Sequence, residues 1–313
     1  MAVNTWDGAS DTNWNDAANW NTTGVTDRVP TSADDVVIAN VSNDPTMPDG
    51  LNPTIKSLEI ETGGQLTAGN NNISIEGVNS NGLAFYVSGT GAFVKGTSTI
   101  TFTDSSNQYI SINTSNANRT FYNVTVNKTG SGDVYIYQSR DGSSTEPLVI
   151  SNNLTISARG FNTANDSSSP SAYFDLTVSG EMHSQGTFTG NSSTVTVRNL
   201  LIEGGTFNAP DGSGMLNITG EGNSGLGDGY AFRRVSGAFV DNTGTVTFKT
   251  PTTTQIRMGT AAQDFYNVII DESSAGGLFY VNDEGFTVTN DLTLTDGDFD
   301  TTLGTATPLI DIQ

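Results

Sequence analysis

Four residues, Phe-Tyr-Asn-Val, occur twice in the chain, at 121–124 and at 265–268, which is an offset of 144 residues (265 − 121). The agreement continues on both sides of this segment, and the small changes of offset fall between the apolar runs. Ile100 and Phe102, for example, correspond to Val246 and Phe248. Because turns tolerate insertions best, the pattern indicates one long unit written twice over most of the 313 residues.

Within each copy, apolar residues alternate with small polar ones. Threonine separates Ile100 from Phe102, and Val124 and Val126 flank Thr125. Valine, isoleucine and threonine suit the half-buried surface of a strand, and clusters of Gly, Asn, Asp and Ser separate the runs. Since no stretch shows a convincing 3.6-residue helical period, the sequence predicts an all-β fold.

A shorter period, of about 25 residues, lies inside each copy. Strand centres near residues 59, 86, 111 and 135 form one series, and centres near 74, 101, 124 and 149 form a second series. Short strands at this spacing, joined by Gly- and Asn-rich turns, are typical of a β-solenoid whose coils stack in parallel. Tandem antiparallel β-sandwiches, which also use short strands, are the alternative.

The predicted organisation has three parts: a Trp-rich N-terminal cap or docking region at 1–54, a first solenoid repeat at 55–197 and a second repeat at 198–313. The second repeat ends in the middle of its pattern, because residues 310–312 correspond to 174–176, after which the first copy continues. An open final strand leaves backbone groups unpaired. We therefore expect further chain, or another subunit, to cover that end.

The N-terminal region holds all three tryptophans, Trp6, Trp14 and Trp20. Indole faces stack on ligands, so one interpretation is a docking or sugar-binding patch. The other interpretation is a plug of large rings over the open end of the core. The first residues contain neither a basic segment nor an apolar one, so no signal peptide is predicted.

Charge and composition exclude several classes of protein. Thirty-three acidic residues against 12 basic ones give a net charge of −21, so a nucleic acid or an anionic membrane is not an expected partner. The absence of cysteine excludes disulfides and thiolate chemistry. The single histidine, His183, cannot build a multi-histidine zinc site, and no nucleophile elbow surrounds a serine that it could activate.

Two sets of carboxylates are candidates for chemistry. Asp296, Asp298 and Asp300 alternate beside a glycine and are a weak candidate for calcium, although a solvated turn has the same pattern. Pairs of carboxylates can hydrolyse glycosides, and the following residues lie in turn-like sequence: Asp271, Glu272, Asp283 and Glu284. No cofactor other than calcium is expected.

The chain resembles large repetitive β-helical surface proteins. The resemblance rests on the N-terminal run from Trp6 through Trp20 to Ile38, on the Phe-Tyr-Asn-Val units and on units such as 152–156, Asn-Asn-Leu-Thr-Ile. Similar sequences occur in autotransporter-like bacterial adhesins and in fibre or head-associated proteins of phages. The resemblance implies a right-handed parallel β-helix used for display or adhesion, and it carries over no catalytic residue.

These observations lead to three hypotheses of function. The first is a non-enzymatic virion protein, a fibre, spike shaft or decoration subunit located on a phage particle. The second is a secreted or surface-bound bacterial adhesin or filament subunit, and the third is a polysaccharide depolymerase. The expected partners are other virion proteins or like subunits, in a homo-oligomer that would be a trimer by analogy with other β-helical spikes, together with host-surface glycans.

Overall fold

The computed structural model describes residues 2–112, 120–137, 147–165, 172–221, 229–250, 253–259, 263–272, 278–282, 285–296, 298–300 and 310–312. The regular structure in these ranges is β-strand, apart from one 3-10 turn at Ala17–Asn19. The prediction of an all-β chain is therefore confirmed for the described residues.

The chain forms two compact units. Unit 1 comprises residues 1–151 and 164–174, and unit 2 comprises residues 152–163 and 175–313. The strands of unit 1 are β1 Val3–Trp6, β2 Trp20–Thr22, β3 Asp35–Ile38, β4 Thr54–Ile55, β5 Ser57–Ile60, β6 Gln65–Thr67, β7 Asn72–Ile75, β8 Leu83–Val87, β9 Ala92–Val94, β10 Thr99–Phe102, β11 Gln108–Ile112, β12 Thr120–Phe121, β13 Asn123–Asn127, β14 Val134–Ile136 and β15 Leu148–Ile150.

Unit 2 contains fourteen strands in its described part. They are β16 Leu154–Ala158, β17 Gly160–Asn162, β18 Leu176–Ser184, β19 Thr187–Thr189, β20 Thr194–Asn208, β21 Met215–Ile218, β22 Phe232–Val240, β23 Thr245–Thr250, β24 Thr254–Arg257, β25 Gln263–Glu272, β26 Leu278–Asn282, β27 Phe286–Asp296, β28 Asp298–Asp300 and β29 Ile310–Ile312. The unit boundaries differ from the predicted division at 54 and 197, which stays a prediction.

In unit 1, corresponding strands of successive coils lie side by side and in parallel. One row consists of β4, β7, β10 and β13, and a second consists of β3, β5, β8, β11 and β14. Each row carries a line of buried apolar side chains in register. The first line is Ile55, Ile75, Phe102 and Val126, and the second is Val36, Leu58, Phe85, Ile110 and Ile136.

The predicted 25-residue spacing accounts for the first series of strand centres. Glu59 pairs with Tyr86, and Tyr86 with Ser111. The predicted placement of the strand near residue 149 in the second series is wrong, because β15 pairs with β12 through Ile150 and Phe121 rather than with β13. Its short apolar run carries no mark that distinguishes one face of a coil from another.

Unit 2 follows the same rule. Its parallel strands place buried apolar residues in register along rows. One row is Val195, Leu216, Val246 and Val268, and another is Leu154, Met182, Leu200, Phe232, Ile256 and Val281. A third row is aromatic: the rings of Phe161, Phe188, Phe207 and Phe239 stack at centroid distances of 6.4, 4.7 and 5.6 Å.

Parallel pairing decides between the two predicted folds. Within each unit, the paired strands of the described chain run parallel, except that β2 pairs antiparallel with β1. Antiparallel sandwiches require the opposite pairing, so the alternative fold is wrong and the structure is a parallel, solenoid-like stack.

The two Phe-Tyr-Asn-Val segments have similar surroundings in their own units. Phe121 and Phe265 are both buried. Asn123 pairs with Thr99, and its Nδ2 donates to the threonine Oγ1 at 3.3 Å; Asn267 donates to Thr245 in the same way at 3.4 Å. In both units the asparagine amide thus donates to a threonine hydroxyl on the neighbouring coil. This hydrogen bond gives partners to polar groups that the stacking of coils would otherwise leave without one.

Candidate functional site: a corner groove in unit 1

The three tryptophans form a buried cluster in unit 1. The ring of Trp20 meets those of Trp6 and Trp14 edge to face, at centroid distances of 5.0 and 4.7 Å. Trp6 Nε1 donates to the carbonyl of Asn43 at 2.6 Å, and Trp20 Nε1 donates to that of Trp14 at 2.8 Å. Since all three rings are buried, the cluster has the packing of a plug, and docking through this region stays a prediction.

A groove of about 680 Å³ lies in unit 1 where the chain leaves one row of strands for the next. Lys56 and Glu76 directly follow Ile55 and Ile75, and Asp104 comes shortly after β10, so equivalent corners of successive coils build one wall. The lining residues are Val3, Ser32, Asp35, Lys56, Glu76, Gly77, Val78, Asn79, Ser80, Asp104 and Ser106.

One ion pair is built into the groove. Lys56 Nζ lies 2.8 and 3.0 Å from the two carboxylate oxygens of Asp35, and Ser57 Oγ donates to the same carboxylate at 2.7 Å. Gly77 makes room for the lysine, because a Cβ there would lie only 2.8 Å from Lys56 Cγ. With Lys56 neutralised by Asp35, the carboxylates of Glu76 and Asp104 give the groove an acidic lining.

The lining defines what the groove can recognise. Carboxylates accept hydrogen bonds, the Asn79 amide and the serine hydroxyls can donate, and Val3 and Val78 add a small apolar area. A hydroxyl-rich ligand matches this mixture of groups. Asn79 is held in place, because its Nδ2 donates to Glu59 at 3.3 Å.

A buried lysine lies behind the groove wall. Lys128 Nζ donates to the carbonyl of Ser106 at 2.7 Å and to Oε1 of Gln108 at 2.6 Å. Burial lowers the pKa of Lys128 to about 8, although Asp104 and Asp133 act in the opposite direction. The Gln108 amide is oriented from its other side, since Nε2 donates to the carbonyls of Ile75 and Gly77 at 3.0 and 3.1 Å.

His183 lies in unit 2, on β18. Its Nε2 is 2.9 Å from Oε2 of Glu203, which also accepts from Gln185 at 3.2 Å. Burial raises the pKa of the nearby Glu181, and the charge of Glu203 adds to the rise while His183 and Arg233 oppose it. The adjacent Ser184 is buried and donates to the carbonyl of Gly186, so this pair of neighbours does not form a nucleophile with its base.

The predicted calcium ligands lie at the junction of β27 and β28. Asp296 ends β27, Asp298 begins β28, and both are exposed, while Asp300 ends β28. Across the described ranges, no group of three or more His, Cys, Asp or Glu residues is placed to hold a metal ion. Calcium binding by these residues stays a prediction.

The candidate glycosidase carboxylates are not presented as an open pair. Asp271 forms an ion pair with Lys249 at 3.0 Å, and its neighbour Glu272 is fully buried. Asp283 and Glu284 lie outside the described residues. Among the described residues, regular helical structure is limited to the three-residue turn Ala17–Asn19, which is too short to span a membrane.

Sequence reasoning missed the groove and the buried lysine. The groove combines residues such as Asp35, Lys56 and Asp104 from different coils, and none of them belongs to a sequence motif that marks a site. The corner spacing could have indicated that Lys56 and Glu76 lie on one wall. Nothing in the segment around Lys128, between Asn127 and Thr129, distinguishes a buried lysine from an exposed one.

Fold and site together define an all-β protein of stacked parallel strands with an acidic groove at its corner. A family model described as a domain of unknown function, DUF8693, matches residues 5–191, and the chain belongs to that family. The searches of curated proteins and of solved structures found no match.

Proposed function

We propose that the chain is a non-enzymatic structural protein, a fibre, spike shaft or decoration subunit of a phage particle. In this proposal, two similar long repeats form a right-handed parallel β-helix that projects outward. The Trp-rich region docks to the particle, and the protein assembles with like subunits as a homo-oligomer. A trimer is the assembly to test first.

The observation that carries the proposal is the continuity of the buried rows. In unit 1, Val36, Leu58, Phe85 and Ile110 occupy one line on four successive coils. Each coil buries its apolar face against the next coil, so further coils can extend the stack through the same contacts. Such a body is suited to reach and to the presentation of a surface.

Attachment to host-surface glycans is the role proposed for the corner groove. Its carboxylates, amide and hydroxyls can exchange hydrogen bonds with sugar hydroxyls. The resemblance to display proteins supports this assignment, and the acidic charge of −21 disfavours anionic glycans as the ligand.

Locating the chain tests the proposal. Antibodies against the purified protein, coupled to gold, are applied to phage particles and to cell-wall fractions from the same culture and imaged by electron microscopy. Regular labelling of particles is expected. Label found only in the cell wall or the secreted fraction would instead establish the bacterial adhesin or filament subunit.

Depolymerase activity is the third function to test. The purified protein is incubated with host capsule, and reducing ends are assayed. No release is expected. Release that the substitution Asp271→Asn abolished would overturn the structural assignment, whereas Asp49→Asn, at an exposed residue outside the candidate carboxylates, is the matched control.

A further inference from the structure

We propose that Lys128 and Gln108 form an isopeptide bond, a covalent link between two successive coils of unit 1. Gln108 begins β11, and Lys128 directly follows β13 on the next coil, whose β14 pairs with β11. The proposal goes beyond the proposed function and does not depend on it.

The geometry brings the reacting groups together. Lys128 Nζ is 2.6 Å from Oε1 of Gln108, so the amine lies beside the amide whose carbonyl carbon it would attack. Lys128 is 4 % exposed and Gln108 is fully buried, which keeps competing water away from the carbonyl. Holding two groups in contact in this way corresponds to effective concentrations of roughly 10⁵ M or more in well-oriented cases.

The amine must lose its proton before it can attack. Burial lowers the pKa of Lys128 to about 8, so an appreciable neutral fraction exists in mildly alkaline solution, whereas an exposed lysine stays protonated there. Two acceptors hold the ammonium form, the Ser106 carbonyl and Gln108 Oε1. Its third proton has no hydrogen-bond acceptor among the described residues.

The reaction is a transamidation that needs no oxidant or second substrate. The lone pair of Lys128 Nζ adds to Cδ of Gln108, and a new C–N bond forms. The bond between Cδ and Nε2 then breaks, Nε2 takes up the proton that Nζ loses, and ammonia leaves. The carbonyls of Ile75 and Gly77 already accept hydrogen bonds from Nε2, so they are placed to bind the departing group.

Mass spectrometry of the full chain tests the proposal. The protein is held at about pH 6 and at about pH 9, on either side of the lysine pKa, and its intact mass is followed. The expected result is a mass lower than that of the sequence by one molecule of ammonia, formed faster at the higher pH. A proteolytic digest is expected to contain one peptide in which Gln108 is joined to Lys128.

Two variants distinguish this link from other losses of ammonia, such as succinimide formation at Asn81, which precedes Gly82. Lys128→Arg keeps the positive charge and is expected to abolish the mass loss. Lys95→Arg changes a lysine that donates to the Thr120 hydroxyl at 2.9 Å, and it is expected to leave the loss intact.

The wild-type digest tests the link between Gln108 and Lys128 even if the variant Lys128→Arg does not fold. Absence of the joined peptide at both pH values would overturn the proposal. So would an ammonia loss that persists unchanged in Lys128→Arg, because it would then arise elsewhere in the chain.

Discussion

Two buried carboxyl groups show how local partners decide the state of an acidic side chain. Burial raises the pKa of Asp34, but hydrogen bonds from Arg28 and Thr31 outweigh it, so the pKa lies below its usual 3.8. Burial raises the pKa of Glu272 from 4.5 to about 7, Thr254 opposes the rise and Asp271 adds to it. Within the described residues, the carboxyl oxygens of Glu272 have no hydrogen bond of good geometry.

The first prediction concerns stability and pH at Glu272. Because its folded pKa exceeds its unfolded value, the stabilisation from this proton is complete below pH 4.5 and is lost as the pH rises through about 7. The loss is on the order of 3 kcal/mol. Glu272→Gln, which stays neutral, should therefore be more stable than the wild type at about pH 8 and similar to it at about pH 4.5, as measured by urea unfolding.

Glu76→Gln is the control for that comparison, because Glu76 is exposed. It should leave the dependence of stability on pH as it is in the wild type. Equal pH dependence in wild type and Glu272→Gln would contradict the assignment of a neutral buried carboxyl.

The second prediction concerns Asp34. Arg28 Nη2 donates to Asp34 Oδ1 at 2.7 Å, and the Thr31 amide and hydroxyl donate to its other oxygen at 2.8 Å. Asp34→Asn should destabilise unit 1 by about 2 kcal/mol, because it removes the charged partner of Arg28. The loss stays moderate, since the Arg28 side chain is partly exposed and can be hydrated instead. The measurement is the urea midpoint, with Asp49→Asn at an exposed position as the control.

The pH profile gives a second check on Asp34. Its folded pKa lies below the unfolded value, so the stabilisation is present above pH 3.8 and is lost as the pH falls through the lower folded pKa. The difference between wild type and Asp34→Asn should shrink in that acid range. A difference that grows on acidification would refute the pairing.

At the scale of elements, the tryptophan cluster packs against the first strands of unit 1. The indole N–H groups of Trp20 and Trp14 differ in their hydrogen bonding. Trp20 Nε1 donates to the Trp14 carbonyl, whereas Trp14 Nε1 is buried without an acceptor in the described part of the chain. Trp20→Phe should therefore cost about 1–2 kcal/mol more stability than Trp14→Phe. Both variants remove the same volume, so the difference in urea unfolding free energy isolates the hydrogen bond.

The aromatic row of unit 2 supplies a fourth prediction. Phe188 lies between Phe161 and Phe207, with interplanar angles of 11° and 22°. Phe188→Ala should destabilise unit 2 by about 3–5 kcal/mol because it leaves a cavity, and Phe188→Leu by roughly 1.5 kcal/mol or less. Thermal unfolding by circular dichroism measures both, and Thr187→Ala, on the same short strand, should change little.

The elements that period-2 alternation predicts are those with one buried face, such as β7, β10 and β13. The 25-residue spacing then predicts their neighbours in the stack, because identical coils must align their apolar positions. Burial that depends on the surrounding coils could not be predicted in this way. Lys128 and Glu272 lie in sequence that reads as solvent-exposed, and only the packing of adjacent coils buries them.

At the scale of the whole molecule, the charge is the dominant feature. A net charge of −21 on 313 residues repels itself in dilute buffer, and salt screens this repulsion over about 10 Å at 0.1 M. We expect the thermal midpoint to rise by a few degrees between low salt and physiological salt. Calorimetry in sodium chloride tests this, and a midpoint that falls with salt would show that ion pairs such as Lys56 with Asp35 dominate instead.

Calcium addition separates screening from binding. Calcium chloride at matched ionic strength should raise the midpoint no more than sodium chloride does if the aspartates at 296, 298 and 300 do not bind the ion. An extra rise that Asp298→Asn removes would establish the predicted calcium site.

The placement of all three indoles in one buried cluster has a practical consequence for spectroscopy. Tryptophan emission therefore reports the entry of water at the first strands of unit 1, and it does not detect changes in the phenylalanine rows of unit 2. A thermal melt followed by fluorescence therefore gives the temperature at which the N-terminal strands of unit 1 open. The difference between this temperature and the midpoint of the far-ultraviolet circular dichroism signal would show whether the N-terminal strands open before the remaining strands unfold.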